Sequence, residues 1–282
     1  MKAPGLSAST VPRVTLNPLP VLYVYDHCPF CVRVRLALGL KNVKHEVRFL
    51  ANDDIPTPTA LVGKKVAPIF QVLNEYVMPE SLDIIAKVDS DPRFGTPGLF
   101  KPMSGREDIK AWQAKVAETN RILQRPRYMM TILPEFQQVD GKNAFVKNHP
   151  VPVRVCTLLH AAPLLCAHSS PHPPCCTCFQ PFEKDAWKKM PAAEQWKEFE
   201  KSYEKSLSLI GELNQSLVEL DKLVHCDEYC SPGGLSLDDI DLWSRLRSVS
   251  LVKGVVWPKK LGAYMRHFEV TGDVPLYDSM AC

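Results

Sequence analysis

Residues 21–90 alternate short apolar runs with amphipathic stretches, a pattern that predicts strands and helices in turn. Strands are predicted for the runs rich in β-branched and aromatic side chains, at residues 21–25, 45–50, 67–72 and 75–78. Helices are predicted at residues 29–40, 58–62 and 81–89. Gly63 is expected to end the second helix and Ser81 to cap the third. The order β-α-β-α-β-β-α predicts a thioredoxin-like α/β domain.

The remainder of the chain is helical in pattern. Residues 91–105 are rich in proline and glycine and are interpreted as a linker. Long amphipathic helices are predicted at residues 106–128, 191–224, 236–252 and 258–268. The third of these begins with a capping-box sequence, Ser236 to Asp239. Trp112, Trp196 and Trp243 are interpreted as core residues. We expect an all-α domain over residues 106–282.

Composition excludes several classes of protein. The chain has 282 residues, of which 45% are hydrophobic and 23% charged, as in soluble globular proteins. A net charge of +3 gives no electrostatic basis for binding nucleic acid, and no apolar run predicts a membrane span. Residues 1–20 lack the apolar core of a secretory signal and predict a disordered extension, with an organellar transit peptide as the alternative. We therefore expect a cytoplasmic protein, or an organellar one in the second case.

Residues 151–180 break the helical pattern. This segment holds a single charged residue, Arg154, with five prolines and five of the ten cysteines. Prolines at this density exclude a long helix or a central strand. The flanking sequences would join well without the segment, and its terminal residues fit the codons at the edges of a spliceosomal intron. We expect a disordered insert that arises from an in-frame retained intron. An ordinary disordered loop and a metal site are the alternatives.

Cys28-Pro29-Phe30-Cys31 lies between the first predicted strand and the first helix. At a helix start, free backbone N–H groups and the helix dipole favour a thiolate, so the pKa of Cys28 is expected to fall below its usual value of about 8.5. Cys31 lies one turn along, close enough to attack a mixed disulfide at Cys28. The spacing predicts a thiol–disulfide cycle with Cys28 as attacker and Cys31 as resolving thiol. His27 is either a residue that tunes Cys28 or a solvated bystander.

A zinc site is the structural alternative for this motif. Zinc requires a second pair of ligands, and Cys226 and Cys230 are the nearest candidates outside the insert. Since that pair lies at a predicted helix end almost two hundred residues away, the redox interpretation is favoured and no metal is expected. Cys226, Cys230 and Cys282 are interpreted as surface or half-buried thiols.

Six groups of residues, in order along the chain, resemble the two-domain glutaredoxins of the glutaredoxin 2 type. They are YVYDHCPFC (23–31), LGLKN (38–42), NDD (52–54), MPESLDI (78–84), LSLDDID (235–241) and VVWP (255–258). The resemblance covers residues 20–149 and 181–282. It implies a glutathione-transferase-like architecture, with the α/β thioredoxin-like domain followed by the all-α domain, in a monomer. It also implies that glutathione, as co-substrate, reduces disulfide-bonded or glutathionylated proteins.

The resemblance also implies roles for individual residues. Cys28 would form the mixed disulfide with glutathione, and Cys31 would be the second thiol. Glutathione would contact Pro29, Phe30, Ala67, Pro68, Glu80 and Ser81. Of these, Pro68 would be a cis-proline, the backbone of Ala67 would pair with the cysteinyl part, and Glu80 and Ser81 would hold the γ-glutamyl end. Ala67 replaces the usual valine, which is expected to alter packing more than binding.

Two rival functions remain. A glutathione transferase or dehydroascorbate reductase shares this architecture, but it usually uses one catalytic Ser, Tyr or Cys, so a functional Cys31 argues against it. A chloride-intracellular-channel-like protein can carry Cys-Pro-Phe-Cys on the same fold and insert into membranes. Arg33 and Arg35 interrupt the first helix and disfavour insertion. The helical domain carries no motif that indicates a catalytic role.

Overall fold

The computed structural model describes residues 11–154, 179–181 and 184–282, and its first part is built around a mixed β-sheet. The strands of this part are β1 (Val14–Thr15), β2 (Val21–Val24), β3 (Val43–Lys44), β4 (Glu46–Phe49), β5 (Ile69–Val72) and β6 (Tyr76–Pro79). Its helices are α1 (Pro29–Leu40), α2 (Pro56–Val62) and α3 (Ser81–Ser90). The predicted order of elements along residues 21–90 is confirmed. The structure has two further strands of two residues each: β1 lies before this span, and β3 lies between α1 and β4.

The main sheet has the strand order β4-β2-β5-β6. Strand β2 runs parallel to β4 and antiparallel to β5, and β5 and β6 form an antiparallel hairpin. The chain leaves β2 and β4 and enters β5 at the same edge of the sheet, because parallel strands share their carboxyl ends and an antiparallel neighbour begins there. This edge is where α1 starts.

Part of the predicted N-terminal extension forms regular structure. Residues 1–10 lie outside the described part, but Val14–Thr15 forms β1 and pairs in parallel with β3. Asn42, in a left-handed conformation with φ of 53°, accepts a hydrogen bond at its carbonyl from the N–H of Val14. Its side chain donates to the carbonyl of Val11. A two-residue strand carries no periodicity, so the expectation of disorder over residues 1–20 was wrong for this part.

The second part is helical. Its helices are α4 (Glu107–Met130), α5 (Val139–Asn148), α6 (Lys184–Lys189), α7 (Ala192–Leu207), α8 (Ile210–Leu223), α9 (Leu237–Leu246) and α10 (Lys259–Thr271). Short 3₁₀ turns lie at Pro92–Phe94, Pro134–Phe136, Arg247–Leu251 and Asp278–Met280. None of the helices in the described ranges is both long and apolar enough to cross a membrane. The predicted fold class, an α/β thioredoxin-like domain followed by an all-α domain, is confirmed.

The single long helix expected at residues 191–224 is two helices. The chain breaks at Ser208 and Leu209, between α7 and α8. The Ser208 hydroxyl donates to the carbonyl of Lys205, and Leu209 is buried in the core. A serine that bonds back to its own helix competes with the helical ladder. The apolar spacing runs on across the break, so the sequence pattern did not reveal it.

The capping box predicted for α9 is confirmed: Ser236 is the N-cap, and its side chain and that of Asp239 bond reciprocally across the first turn. Trp112 and Trp243 are buried, as expected, and their indole N–H groups donate to backbone carbonyls. Trp196 is half-buried at the edge of a second, smaller cluster.

The ends of the predicted insert are held together. Strand β7 (Pro152–Arg154) pairs in antiparallel register with β8 (Phe179–Pro181), so that Arg154 lies opposite Phe179. The disorder expected within the insert falls on residues 155–178, which lie outside the described residues. The two strands place the entry and exit of this segment side by side.

The two domains meet along α1. The Arg33 side chain forms an ion pair with Asp241 of α9. At the end of β2, the carbonyl oxygen of Asp26 accepts hydrogen bonds from Arg247 Nη1 and from the Tyr277 hydroxyl, each at 2.8 Å. The side chains that make these contacts are buried or half-buried. The helical domain therefore fixes the loop that carries Cys28.

Candidate active site

Strand register brings the predicted site residues to one edge of the sheet. Tyr23 of β2 lies opposite Ile69 of β5, and Ile69 lies opposite Pro79 of β6. Continuing each register by one or two residues places Ala67–Pro68 beside the end of β2 and Glu80 beside Pro68. Neighbouring strands are about 4.8 Å apart, so the ends of β2 and β6 lie about 10 Å apart with Ala67–Pro68 between them. The space over this edge, between the loop that carries Cys28 and the turn at Glu80–Ser81, is called the groove below.

Cys28 is the N-cap residue of α1 and Pro29 occupies its first turn, as the sequence predicted. The Cys28 side chain is half-buried. A hydrogen bond from the Cys31 thiol lowers the pKa of Cys28 to about 6, against the opposing effect of burial. The electrostatic effect of His27 and the N–H groups of Cys31 and Phe30 act in the same direction. A substantial fraction of Cys28 is therefore thiolate at neutral pH.

Cys31 has the opposite environment. It is fully buried, and burial together with the bond to Cys28 raises its pKa well above the ordinary value. The backbone N–H of Tyr25 donates to its sulfur at 3.4 Å. Cys31 is thus a protonated thiol behind Cys28, out of contact with solvent. Only Cys28 can attack a substrate from outside, whereas Cys31 can reach the Cys28 sulfur from within.

Phe30 is 47% exposed at the rim, with the guanidinium of Arg33 at 4.8 Å from its ring centre. The Ala67–Pro68 peptide bond is cis, as the resemblance implied. Ala67 packs against the main core, as does the side chain of Cys28.

Glu80 and Ser81 join β6 to α3. Ser81 is the first residue of the helix and is buried, while the N-cap is Glu80, so the expected serine cap was wrong. Glu80 adopts a left-handed conformation with φ of 72°, which costs a non-glycine residue about 1–3 kcal/mol. Its exposed side chain lies 3.4 Å from Lys64 Nζ. The first backbone N–H groups of α3 follow this turn, and the start of a helix favours an anion.

The structure adds a contact that the sequence did not reveal. Glu135, in the 3₁₀ turn of the helical domain, accepts hydrogen bonds from the backbone N–H of His27 at 2.9 Å and from its ring Nδ1 at 2.5 Å. The helical domain, which carries no catalytic motif in its sequence, therefore contacts the residue that precedes Cys28. The two residues are 108 positions apart, and an acid between a proline and a phenylalanine carries no sequence signal.

Three further cysteines belong to the described part of the chain, all of them in the helical domain. Cys230 is fully buried, contrary to the expected surface or half-buried position, and its burial raises its pKa. Cys226 and Cys282 are half-buried, as expected. Within the described ranges, no cluster of three or more His, Cys, Asp or Glu side chains has the arrangement of a metal site.

Two family models match the chain. The model described as "Glutaredoxin 2, C terminal domain" matches residues 183–281, and that described as "Glutathione S-transferase, N-terminal domain" matches residues 22–95. Together they cover both domains.

Individual proteins are similar as well. Glutaredoxin 2 of Escherichia coli strain K12 is 32% identical over 260 residues, which cover 92% of this chain and 99% of that protein. Glutathione S-transferase L1 of Arabidopsis thaliana is 32% identical over 108 residues, covering 37% of this chain and 44% of that protein. The crystal structure of glutaredoxin 2 from Salmonella typhimurium in complex with glutathione matches with a TM-score of 0.71 at 30% identity, covering 93% of this chain and 99% of that one. This agreement in sequence and fold over nearly the whole of both chains shows that the chain belongs to the glutaredoxin 2 family.

Proposed function

We propose that Cys28 and Cys31 carry out the glutathione-dependent reduction of disulfide-bonded and glutathionylated proteins. The observation that carries this proposal is the opposite protonation of the two thiols. Cys28 has a pKa of about 6 and is half-buried, while Cys31 is fully buried with a raised pKa. A thiolate in front and a thiol behind are the two reactants that a dithiol cycle requires.

With a glutathionylated protein, the Cys28 thiolate attacks the glutathione sulfur of the mixed disulfide. The protein thiolate leaves and takes a proton from solvent, and Cys28 becomes bonded to glutathione. A second glutathione, as thiolate, attacks the glutathione sulfur of this mixed disulfide. Oxidised glutathione then leaves, and Cys28 returns to the thiolate. This route uses Cys28 alone.

With a protein disulfide, Cys28 attacks one sulfur and forms a mixed disulfide with the substrate, whose other sulfur leaves as a thiolate and is protonated. Cys31 then loses its proton and attacks the Cys28 sulfur, which releases the second substrate thiolate and forms the Cys28–Cys31 disulfide. Two glutathione molecules reduce this disulfide in two exchange steps and leave as oxidised glutathione. This route requires both thiols.

Glutathione would lie along the groove that the strand register defines. Its cysteinyl part would pair with the backbone of Ala67 beside Pro68, near the sulfur of Cys28 and the ring of Phe30. Its γ-glutamyl carboxylate would meet Ser81 and the start of α3, a favourable place for an anion. Its ammonium group would meet the carboxylate of Glu80.

A protein substrate has room beside this groove. A cavity of about 220 Å³ opens next to Pro29 between the two domains, with Trp112 and Tyr128 from α4 and Arg245 from α9 in its wall. We propose that this cavity receives the substrate residues that flank the disulfide. The protein would act as a monomer in the cytoplasm, where glutathione keeps thiols reduced.

The same geometry disfavours the two rival functions. A transferase or dehydroascorbate reductase needs one catalytic side chain. In such an enzyme the buried Cys31 thiol, which is hydrogen-bonded to Cys28, would have no role. A membrane-inserting protein would rely on an apolar span, whereas Arg33 and Arg35 of α1 are both engaged in ion pairs with acidic residues.

The test is glutathione-coupled reduction of a small mixed disulfide by the wild type, Cys28→Ser and Cys31→Ser, with Cys226→Ser as a matched control at a distant thiol. Cys28→Ser is expected to be inactive. Cys31→Ser should keep activity on glutathionylated substrates and lose protein-disulfide reduction, and the control should behave as wild type. Normal turnover by Cys28→Ser overturns the proposal. Conductance in liposomes without reductase activity would favour the channel-like alternative.

A further inference from the structure

His27 precedes Cys28 directly, and its imidazole is held from the other domain. Glu135 Oε1 accepts from both the backbone N–H and ring Nδ1 of His27. The His27 side chain is 13% exposed and that of Glu135 is fully buried. A carboxylate that receives two hydrogen bonds from one residue fixes the position and the rotation of that residue's ring.

Aromatic rings enclose the rest of the imidazole. Tyr128, Phe136 and Phe145 lie with their ring centres 4.9, 5.1 and 5.2 Å from that of His27. Removal from water among such rings disfavours a charged imidazole, whereas an adjacent carboxylate favours it. Glu135 is the carboxyl group in direct contact with the ring, so it is the group placed to favour the charged form.

Glu135 is itself rigidly placed. Its backbone carbonyl accepts from the N–H of Asn52 at 3.1 Å, which ties the 3₁₀ turn to the loop after β4. Its second carboxylate oxygen, Oε2, is buried and has no hydrogen-bond partner among the described residues. A buried carboxylate oxygen without a donor is costly unless the group has a charged partner, and His27 is the group placed to be that partner.

We propose that Glu135 is a positioning residue for the thiol chemistry: it holds His27 as an imidazolium beside Cys28, so that the helical domain sets the reactivity of the attacking sulfur. This inference rests on the proposed function. It agrees with the contribution of His27 to the lowered pKa of Cys28. Titratable groups around the His27–Cys28 pair come from each neighbouring element, namely Tyr25, Cys31, Tyr128, Glu135 and His149.

The direction in which the pKa of Cys28 changes when the charge of Glu135 is removed distinguishes this role from a direct electrostatic effect of Glu135 on Cys28. If the charge of Glu135 acted on Cys28 by itself, removing it would favour the thiolate and lower the pKa of Cys28. If Glu135 acts through His27, removing the charge takes the cation away from Cys28 and raises that pKa. Glu135→Gln preserves shape and keeps an oxygen that can accept from the His27 N–H.

The experiment measures the rate at which iodoacetamide alkylates Cys28 as a function of pH, in the full chain. For Glu135→Gln we expect the midpoint to rise by about one pH unit, which lowers the rate at pH 6 about fivefold. Glu219→Gln, which removes an exposed carboxylate paired with Lys115, is the matched control and should leave the rate unchanged. An unchanged or lowered midpoint in folded Glu135→Gln overturns the proposal.

A double-variant cycle keeps the test decisive if Glu135→Gln also loosens the turn. His27→Gln alone should raise the midpoint of Cys28 alkylation at least as far as Glu135→Gln does. The double variant should have the same midpoint as His27→Gln. A further rise in the His27→Gln background would mean that Glu135 acts on Cys28 by another route, and it would overturn the proposal. The outcome is separate from the proposed function, which stands or falls on the activity of Cys28→Ser.

Discussion

The side chains of Cys31 and Cys28 are hydrogen-bonded to each other, and the bond acts on the two thiols in opposite directions. It lowers the pKa of Cys28 to about 6 and contributes to the raised pKa of Cys31, after the larger effect of burial. The protein thus keeps one sulfur reactive and stores the proton on the other. This asymmetry follows from their positions, since Cys28 caps α1 while Cys31 lies inside its first turn.

The hydrogen bond can be removed without removing Cys28. Cys31→Ala takes away the donor, so we expect the pKa of Cys28 to rise by about one unit or more, since hydrogen bonds to charged groups contribute about 1.5–3 kcal/mol. Cys31→Ser keeps a hydroxyl donor and should shift it much less. Alkylation rates at pH 6 to 9 measure both. Equal pKa values in the two variants would show that the bond has no such effect.

The two residues proposed to bind the γ-glutamyl end, Ser81 and Glu80, should contribute unequally to the binding of glutathione. Ser81 is buried, so Ser81→Ala is expected to raise the KM for glutathione about tenfold, the effect of a lost charge-assisted hydrogen bond. Glu80 is exposed, so Glu80→Gln should raise it only about two- to fivefold, as for a solvent-screened ion pair.

Steady-state kinetics with varied glutathione gives both values, with kcat expected to stay unchanged because these contacts are made equally before and during reaction. Glu75→Gln, at an exposed ion pair with Arg93 near the far end of the β5–β6 hairpin, is the control. A KM unaffected by Ser81→Ala would remove Ser81 from the glutathione site.

The contact between the domains depends on a glycine. A Cβ atom on Gly39 of α1 would lie 1.7 Å from the carbonyl oxygen of Gly272, which follows α10. Because this obstacle is backbone, relief requires the two elements to move apart, and Gly39→Ala should destabilise the protein by about 3 kcal/mol or more. Urea unfolding measures this change.

Gly211→Ala is the matched control for that experiment. Gly211 lies in α8, and a methyl group at its Cβ position would have no heavy atom of a neighbouring element within 4 Å. Its replacement should be neutral or stabilising by up to about 1 kcal/mol, because alanine favours a helix over glycine. If Gly39→Ala and Gly211→Ala unfold at the same urea concentration, the domains do not pack as closely as described.

The insert can be replaced by a turn. Arg154 and Phe179 lie opposite each other in the β7–β8 pair, so a two-residue Asn-Gly loop in place of residues 155–178 would close a regular hairpin. We expect the Tm to stay unchanged or rise and the reductase activity to persist. A Tm fall above about 4 °C, which corresponds to about 2 kcal/mol for a chain of this length, would show that the segment packs. The intron hypothesis stays a prediction, which sequencing of the transcript tests.

Local patterns in the sequence predicted much of the fold. The β-branched runs of β2 and β5, the glycine that ends α2 and the Ser236–Asp239 capping box all act through near neighbours, so each could be found in the sequence. The break at Ser208 was missed because the apolar periodicity continues across it. The short strand β1 was missed because its pairing with Val43–Lys44 depends on the turn at Asn42.

The residues of the candidate site also fall into those that local sequence predicts and those that depend on tertiary contacts. The roles of Cys28 and Cys31 were predicted from their spacing alone, whereas the glutathione-contacting positions came from the family resemblance, and both sets of roles stay predictions. Glu135 was not found, because its contact with His27 exists only after the helical domain has packed against the first one. Contacts of this kind depend on tertiary structure and leave no periodic signal.

Titrating Cys28 tests the account most directly. Wild-type protein is alkylated over a range of pH, with Cys28→Ser as the blank. Because the pKa of Cys28 is about 6, its thiolate is protonated only as the pH drops through about 6. The alkylation rate is therefore expected to fall with a midpoint near pH 6. Folding then favours the thiolate, so this group adds stability above the pKa of an unfolded cysteine, about 8.5, and that contribution is lost as pH falls toward 6. A midpoint near 8.5 would contradict the account.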